Sequence, residues 1–188
     1  MILSDETIEN YINSGRLVVD PFDSQAIQPA SLDVRLGVGA YYAKSITKES
    51  FVNPSNKLLV NDAFVEMPDA TSIAIDPGDF ILATTLERFE FPDNVVGVVN
   101  GKSSLGRLGL LIHATAGFID PGFKGQITLE LSNVSRTRLV LNTGMRIGQV
   151  SFQFLDQPAL KPYGHPDLNS KYVEQSGATM SKYHLNTE

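Results

Sequence analysis

The chain has 188 residues, 42% hydrophobic and 19% charged, enough for one domain with a core of its own. It has no cysteine, which excludes disulfides and thiolate metal sites, and its net charge of −6 excludes the basic footprint of a non-specific nucleic-acid binder. No apolar run approaches the length of a membrane span, and the opening MILSDETIEN carries acids without a basic n-region, so neither a membrane anchor nor a signal peptide is expected, and a cytoplasmic setting is.

Ser4 is a good helix N-cap, Asp5 and Glu6 suit the positive end of the dipole, and Ile8, Tyr11 and Ile12 make a short apolar stripe. With Gly15 as a natural stop, this predicts a helix over 5–14. The rest reads mostly as strands. SLDVRLG (31–37) alternates through Leu32, Val34 and Leu36. Residues 43–68 are polar with scattered apolar positions, an excursion between strands. FILATTLERFEF (80–91) follows a Pro-Gly turn and ends at Pro92, and VVGVVN (95–100) is short and apolar. A helical turn fits near 103–108. QITLELSN (126–133), TRLVLN (137–142) and RIGQVSFQFL (146–155) complete the strands. In the first of these, Ile127, Leu129 and Leu131 point one way, and Gln126, Thr128, Glu130 and Ser132 the other. Many short strands between Gly and Pro turns predict a closed or double-sheet β fold. Residues 161–188 lack periodicity and read either as a frayed tail or as a lid over a ligand.

Several residues could carry chemistry. In GKSSLGRLGL (101–110), glycines allow close backbone approach, Ser103 and Ser104 offer hydroxyls, and Lys102 and Arg107 offer charge. This makes a phosphate cradle or a solvated polar turn; it is not a P-loop, because the order of residues is wrong. Asp120 in GFIDPGFKG suits turn initiation before Pro-Gly, and Glu130 suits either a wet strand face or proton transfer. His113 reads as a structural hydrogen-bonder. The three histidines are scattered, so no zinc-site spacing exists, and the His-x-Glu with Pro-Cys-x-x-Cys signature of zinc nucleobase deaminases is absent.

Taken in order, GKSSLGRLGL, HATAGFIDPGFKGQITLELSN and GMRIGQVSF resemble the dCTP deaminases, relatives of the trimeric dUTPases. SDETIENYINSGRL, QPASLDVRLG and KPYGHPDLNSKYVEQSGA extend the likeness over nearly the whole chain. The resemblance implies a mainly β fold, a distorted jelly-roll-like barrel of the dUTPase type with a short N-terminal helix. It implies one domain over 1–188, with 161–188 closing over the nucleotide, assembled as a homotrimer with active sites between subunits. It implies metal-free attack of water on C4 of cytosine, with Glu130 as the acid–base and Ser103 helping to hold the water. Substrate contacts fall on Lys102, Ser103, Ser104, Leu105, Gly106 and Arg107, then on Asp120, on Thr128, Leu129 and Glu130, and on Gln149, Tyr163, Lys171 and Gln175. Mg²⁺ is expected to arrive with the triphosphate, held by phosphates and water, and dTTP is the expected feedback inhibitor. TAGFIDPG, with Ala116 and Gly117, looks like the bifunctional members that convert dCTP to dUMP, in which Asp120 orients a second water and Arg107 helps stabilise the leaving pyrophosphate. On this reading Gly117 leaves room for that water. A deaminase-only enzyme releasing dUTP, a dUTPase and a non-catalytic nucleotide-binding regulator are the alternatives.

Overall fold

The structure, a computed structural model, describes residues 1–44 and 51–186. Residues 45–50 of the expected excursion and 187–188 of the expected closing segment lie outside them. In chain order the elements are α1 (Asp5–Asn13), β1 (Val18–Asp20), β2 (Ile27–Gln28), β3 (Ser31–Arg35), β4 (Ala40–Ala43), α2 (Lys57–Asp62), β5 (Phe64–Met67), β6 (Ser72–Ile75), β7 (Phe80–Glu90), β8 (Val95–Gly101), α3 (Ser103–Gly106), β9 (Leu110–Ile112), β10 (Phe118–Ile119), β11 (Lys124–Asn133), β12 (Leu139–Asn142) and β13 (Arg146–Phe154). Ser4 caps α1 as its sequence predicts, accepting from the Thr7 amide. No helix among the described residues is long and apolar enough to cross a membrane.

The architecture is mainly β and jelly-roll-like. One sheet runs β5-β4-β7-β11-β9 with β1 also on β7; a second runs β10-β8-β13-β3-β2; β12 pairs with β6. The sheets are not joined in one closed ring, though an isolated bridge between Leu36 and Thr85 links the two larger ones. Their inner faces share a core that includes Leu32, Phe89, Leu129, Ile147 and Phe152, each at most 1% exposed. Phe91 links the layers, its ring centroid 5.7 Å from that of Phe152 and 5.9 Å from that of Phe89. Buried Glu87 accepts from both the amide and the guanidinium of Arg35, so its charge is paired.

The pairing of β7 with β11 positions the chemistry. The alternation of β11 is as its sequence predicts, with Ile127, Leu129 and Leu131 buried. Between Gln126 and Thr128 the register slips by two residues, the extra ones lying on β7 between Thr84 and Arg88. The buried Thr85 hydroxyl accepts from the Ile127 amide at 3.0 Å, so the bulge leaves no orphaned donor there. The alternation of β11 runs unbroken past it, so Gln126, Thr128 and Glu130 emerge on one face.

Candidate active site

Glu130 leaves β11 on its polar face, and its side chain is about a quarter exposed. The segment after β9 folds back over it. Thr115 donates to Glu130 Oε2 from its amide at 3.2 Å, and its hydroxyl stands 3.3 Å from the same oxygen. The Glu130 amide donates to His113 Nδ1 at 3.3 Å, continuing the ladder where β9 has ended. That bond requires an unprotonated Nδ1, so the neutral ring carries its proton on Nε2, 3.9 Å from Glu130 Oε2. One carboxylate oxygen is thus held by this segment.

This carboxylate lines a cavity of about 800 Å³. Asp120, Thr128 and Ala116 stand on its barrel side, and Tyr163, Lys171 and Gln175 come from the C-terminal segment. The walls partly desolvate Asp120 and hold its carboxyl above the usual carboxylate range. Burial likewise raises the Tyr163 phenol, and the nearby Asp120 charge adds to the effect. Its hydroxyl accepts from the Tyr172 amide at 3.0 Å. A carboxylate held on one oxygen, a second carboxylate with raised affinity for protons and a covering strap make a site suited to proton transfer with a bound water.

A second cavity, of about 470 Å³, is lined by Lys102, Ser103, Ser104, Arg107 and Gln149. It has no lining residue in common with the first. The short α3 turn presents the two serines and Arg107, which makes no ion pair among the described residues. Lys102 is not a freely solvated cation. Its Nζ lies 2.6 Å from Oδ1 of Asp33, whose side chain is only 2% exposed, and Arg146 approaches the same carboxylate at 3.6 Å. Gln149 is held by Ser31, whose hydroxyl donates to its Oε1 at 3.1 Å.

The expected site residues therefore fall into two groups within one chain. Glu130, Asp120, Thr128, Ala116, Tyr163, Lys171 and Gln175 meet in one cavity; Lys102, Ser103, Ser104, Arg107 and Gln149 meet in the other, with Leu105 and Gly106 inside α3. Leu129 is fully buried, so only its backbone can face a ligand. Gly117 packs against β8: Val99 donates to its carbonyl at 2.7 Å, and a Cβ on Gly117 would stand 2.8 Å from the Val99 carbonyl oxygen. The glycine is thus required by backbone approach, a reason other than room for a water. Sequence reading passed over Thr115 and gave His113 only a structural role; a hydroxyl or imidazole shortly before a turn carries no signal of the carboxylate it will meet.

Residues 2–155 match the family described as dCTP deaminase-like. A protein of Corynebacterium jeikeium named "dCTP deaminase, dUMP-forming" is 48% identical over 99% of this chain and 98% of its own. One of the same name from Mycobacterium tuberculosis is 46% identical over 99% and 97%. Among solved structures, the 2′-deoxycytidine 5′-triphosphate deaminase from Agrobacterium tumefaciens superposes with a TM-score of 0.63 at 25% identity, over 82% of this chain and 48% of that one. The chain thus spans about half of that longer protein.

Proposed function

Because the chain belongs to the dCTP deaminase-like family, we propose that it converts dCTP and two waters to dUMP, ammonia and pyrophosphate, supplying dUMP for thymidylate synthesis. The observation that carries the reading is Glu130, its carboxylate held on one oxygen by Thr115, its amide donating to His113, and its side chain opening into the cavity that also holds Asp120. In the deamination, Glu130 takes a proton from water as the oxygen adds to C4 of cytosine. It passes that proton to the ring nitrogen, then moves the proton of the new C4 hydroxyl to the amine, which leaves as ammonia while the C4 carbonyl forms. The base edge is read by the backbone of residues 128–130, since Leu129 offers nothing else. In the hydrolysis, Asp120 orients a second water for in-line attack on the α-phosphate, and pyrophosphate leaves toward Arg107. Mg²⁺ bound with the triphosphate would neutralise phosphate charge. Asp120 and Glu130 are the cavity's carboxylates, and in this reading the protein's part is to place the phosphates.

The two separate cavities support a further part of the reading: a cytoplasmic homotrimer in which the Ser103–Arg107 cradle of one subunit faces the Glu130 cavity of the next. Residues 1–188 then act as one unit, with 161–188 closing over the nucleotide. Feedback inhibition by dTTP would use the same cavity.

The test is a quenched time course with dCTP and Mg²⁺, separating dCTP, dUTP, dUMP and dCMP by ion exchange. We expect dUMP without a transient dUTP pool. Accumulating dUTP would reduce the protein to a deaminase, and unchanged dCTP would overturn the proposal. Glu130→Gln should keep dCTP binding and lose deamination by about 10²–10⁴-fold; an unaffected rate would remove Glu130 from the mechanism.

A further inference from the structure

The C-terminal strap does not simply lie on the cavity; it is registered on β11. Glu174 donates from its amide to the Lys124 carbonyl at 3.0 Å, and Gln126 donates from its amide to the Gln175 carbonyl at 3.0 Å. The Gln175 side-chain amide returns to the Gln126 carbonyl at 2.6 Å, and the Thr179 amide donates to the Thr128 hydroxyl at 3.1 Å. Outside this line, Arg88 pairs with Glu174. Gly125 has φ +138°, and a Cβ there would stand 2.6 Å from the Gln175 carbonyl, so the sequence leaves β11 bare where the strap crosses.

One side chain joins the strap to the bulge. The Gln126 Nε2 donates to the Thr85 carbonyl at 2.8 Å, and its Oε1 accepts from the Gly177 amide at 2.7 Å. Thr85 lies in the β7 bulge, and its hydroxyl accepts from the Ile127 amide between Gln126 and Thr128. Both ends of the Gln126 amide are therefore used, one on the barrel and one on the strap. Gln126 and Glu130 share the polar face of β11, four residues or about 14 Å apart, so Gln126 is too far away to touch the reacting base.

We propose that Gln126 is a positioning residue that locks the strap onto β11, and that this lock retains the deaminated triphosphate until its hydrolysis. The inference rests on the dUMP-forming reading. A nucleotide that has exchanged its amine for a carbonyl must stay while a second water attacks its α-phosphate, and Tyr163, Lys171 and Gln175, which would hold it, all ride on the strap.

Gln126→Leu removes both side-chain bonds at nearly constant volume. It should speed tryptic cleavage at Lys171 and Lys182 about tenfold in nucleotide-free protein and raise KM for dUTP about tenfold, with kcat at saturating dUTP within about twofold of wild type. In the dCTP time course, free dUTP should appear ahead of dUMP. A purely structural role in the bulge would instead lower Tm and slow ammonia and pyrophosphate release together without freeing dUTP, which would overturn the proposal. Glu174→Ala loosens the strap from Arg88 without touching Gln126 or the core, and it should leak dUTP in the same way should Gln126→Leu fail to fold. A strap that loosens with no dUTP escaping, or an unchanged cleavage rate, overturns the inference. Wild-type protein that makes no dUMP would strike the proposed function instead.

Discussion

Gly117→Ala separates two reasons for a glycine in the TAGF segment. A new Cβ would lie 2.8 Å from the Val99 carbonyl oxygen, and ordinary contact begins near 3.4 Å, so the segment must move by about 0.6 Å. The hydrogen bond from Val99 to Gly117, 2.7 Å long, resists that move, as does the pairing of Phe118 with Val98 and Ile119 with Gly97. Overpacking of this kind costs about 1–3 kcal/mol. Near the middle of that range, a chain of this size loses about 4–8 °C in Tm. The displacement is passed to Asp120, three residues on, which should lower pyrophosphate release from dUTP about tenfold. Glu130 sits on β11, anchored along β7, but Thr115 of the moved segment holds one of its oxygens, so ammonia release from dCTP should fall too, by about threefold, less than hydrolysis. Differential scanning fluorimetry and two steady-state assays, ammonia from dCTP and pyrophosphate from dUTP, read the three quantities. Unchanged Tm and hydrolysis would refute the close-approach argument, and equal loss of both activities would refute the assignment of this segment to the hydrolytic step.

Asp120→Asn should abolish pyrophosphate release while slightly raising Tm at pH 7. The folded state holds the Asp120 carboxyl above its usual range, so it binds more protons than the unfolded chain; stability therefore falls as pH rises through that window, and the ionised group remains a cost above it. The gain in Tm should shrink below about pH 4, and a lower Tm at pH 7 would contradict the sign. Subunit mixing tests the shared site. Arg107→Ala and Glu130→Gln subunits, each poor at deamination alone, should recover about a quarter of wild-type activity when co-expressed in equal amounts, because about one site in four then pairs an intact cradle with an intact Glu130. No recovery would place both halves of the site within one subunit.

The strands that bury one face were legible because burial writes itself as alternation. Ile127, Leu129 and Leu131 are 6%, 0% and 0% exposed, and the polar residues between them stay wet. Where burial is weak the pattern fades. Ala40–Ala43 and Phe64–Met67 pair with each other at the edge of the large sheet, with Val65, Glu66 and Met67 all exposed; the second falls in the polar excursion over 43–68, and the first carries no alternation to mark it. Lys57–Asp62 is a helix of six residues capped by the Asn56 side chain, too short for a 3.6-residue period to show. Leu110–Ile112 and Phe118–Ile119 are strands of three and two residues, held mainly by the partners they meet.

The site was legible as chemistry and illegible as geometry. A carboxylate inside an alternating strand and a Gly-Ser-Arg turn are visible residue by residue, and their order along the chain names the family. Which side chains hold them depends on backbone brought in from elsewhere: Asp33 meets Lys102 across 69 residues, and Gly177 meets Gln126 across 51. Nearness in sequence also misleads in the other direction. Ser103 and Glu130 are only 27 positions apart and read naturally as one constellation, yet α3, β9 and the segment over Glu130 intervene and leave them lining different cavities. A water cannot be held by both unless a cradle comes from elsewhere. A homomer supplies one at no cost in new sequence, since every copy that offers a Glu130 cavity also offers a Ser103 cradle. The division of the site within one chain thus becomes an argument for the proposed assembly, in which a few placed cations would act on the phosphates while the acids stay around the base and sugar, despite a net charge of −6.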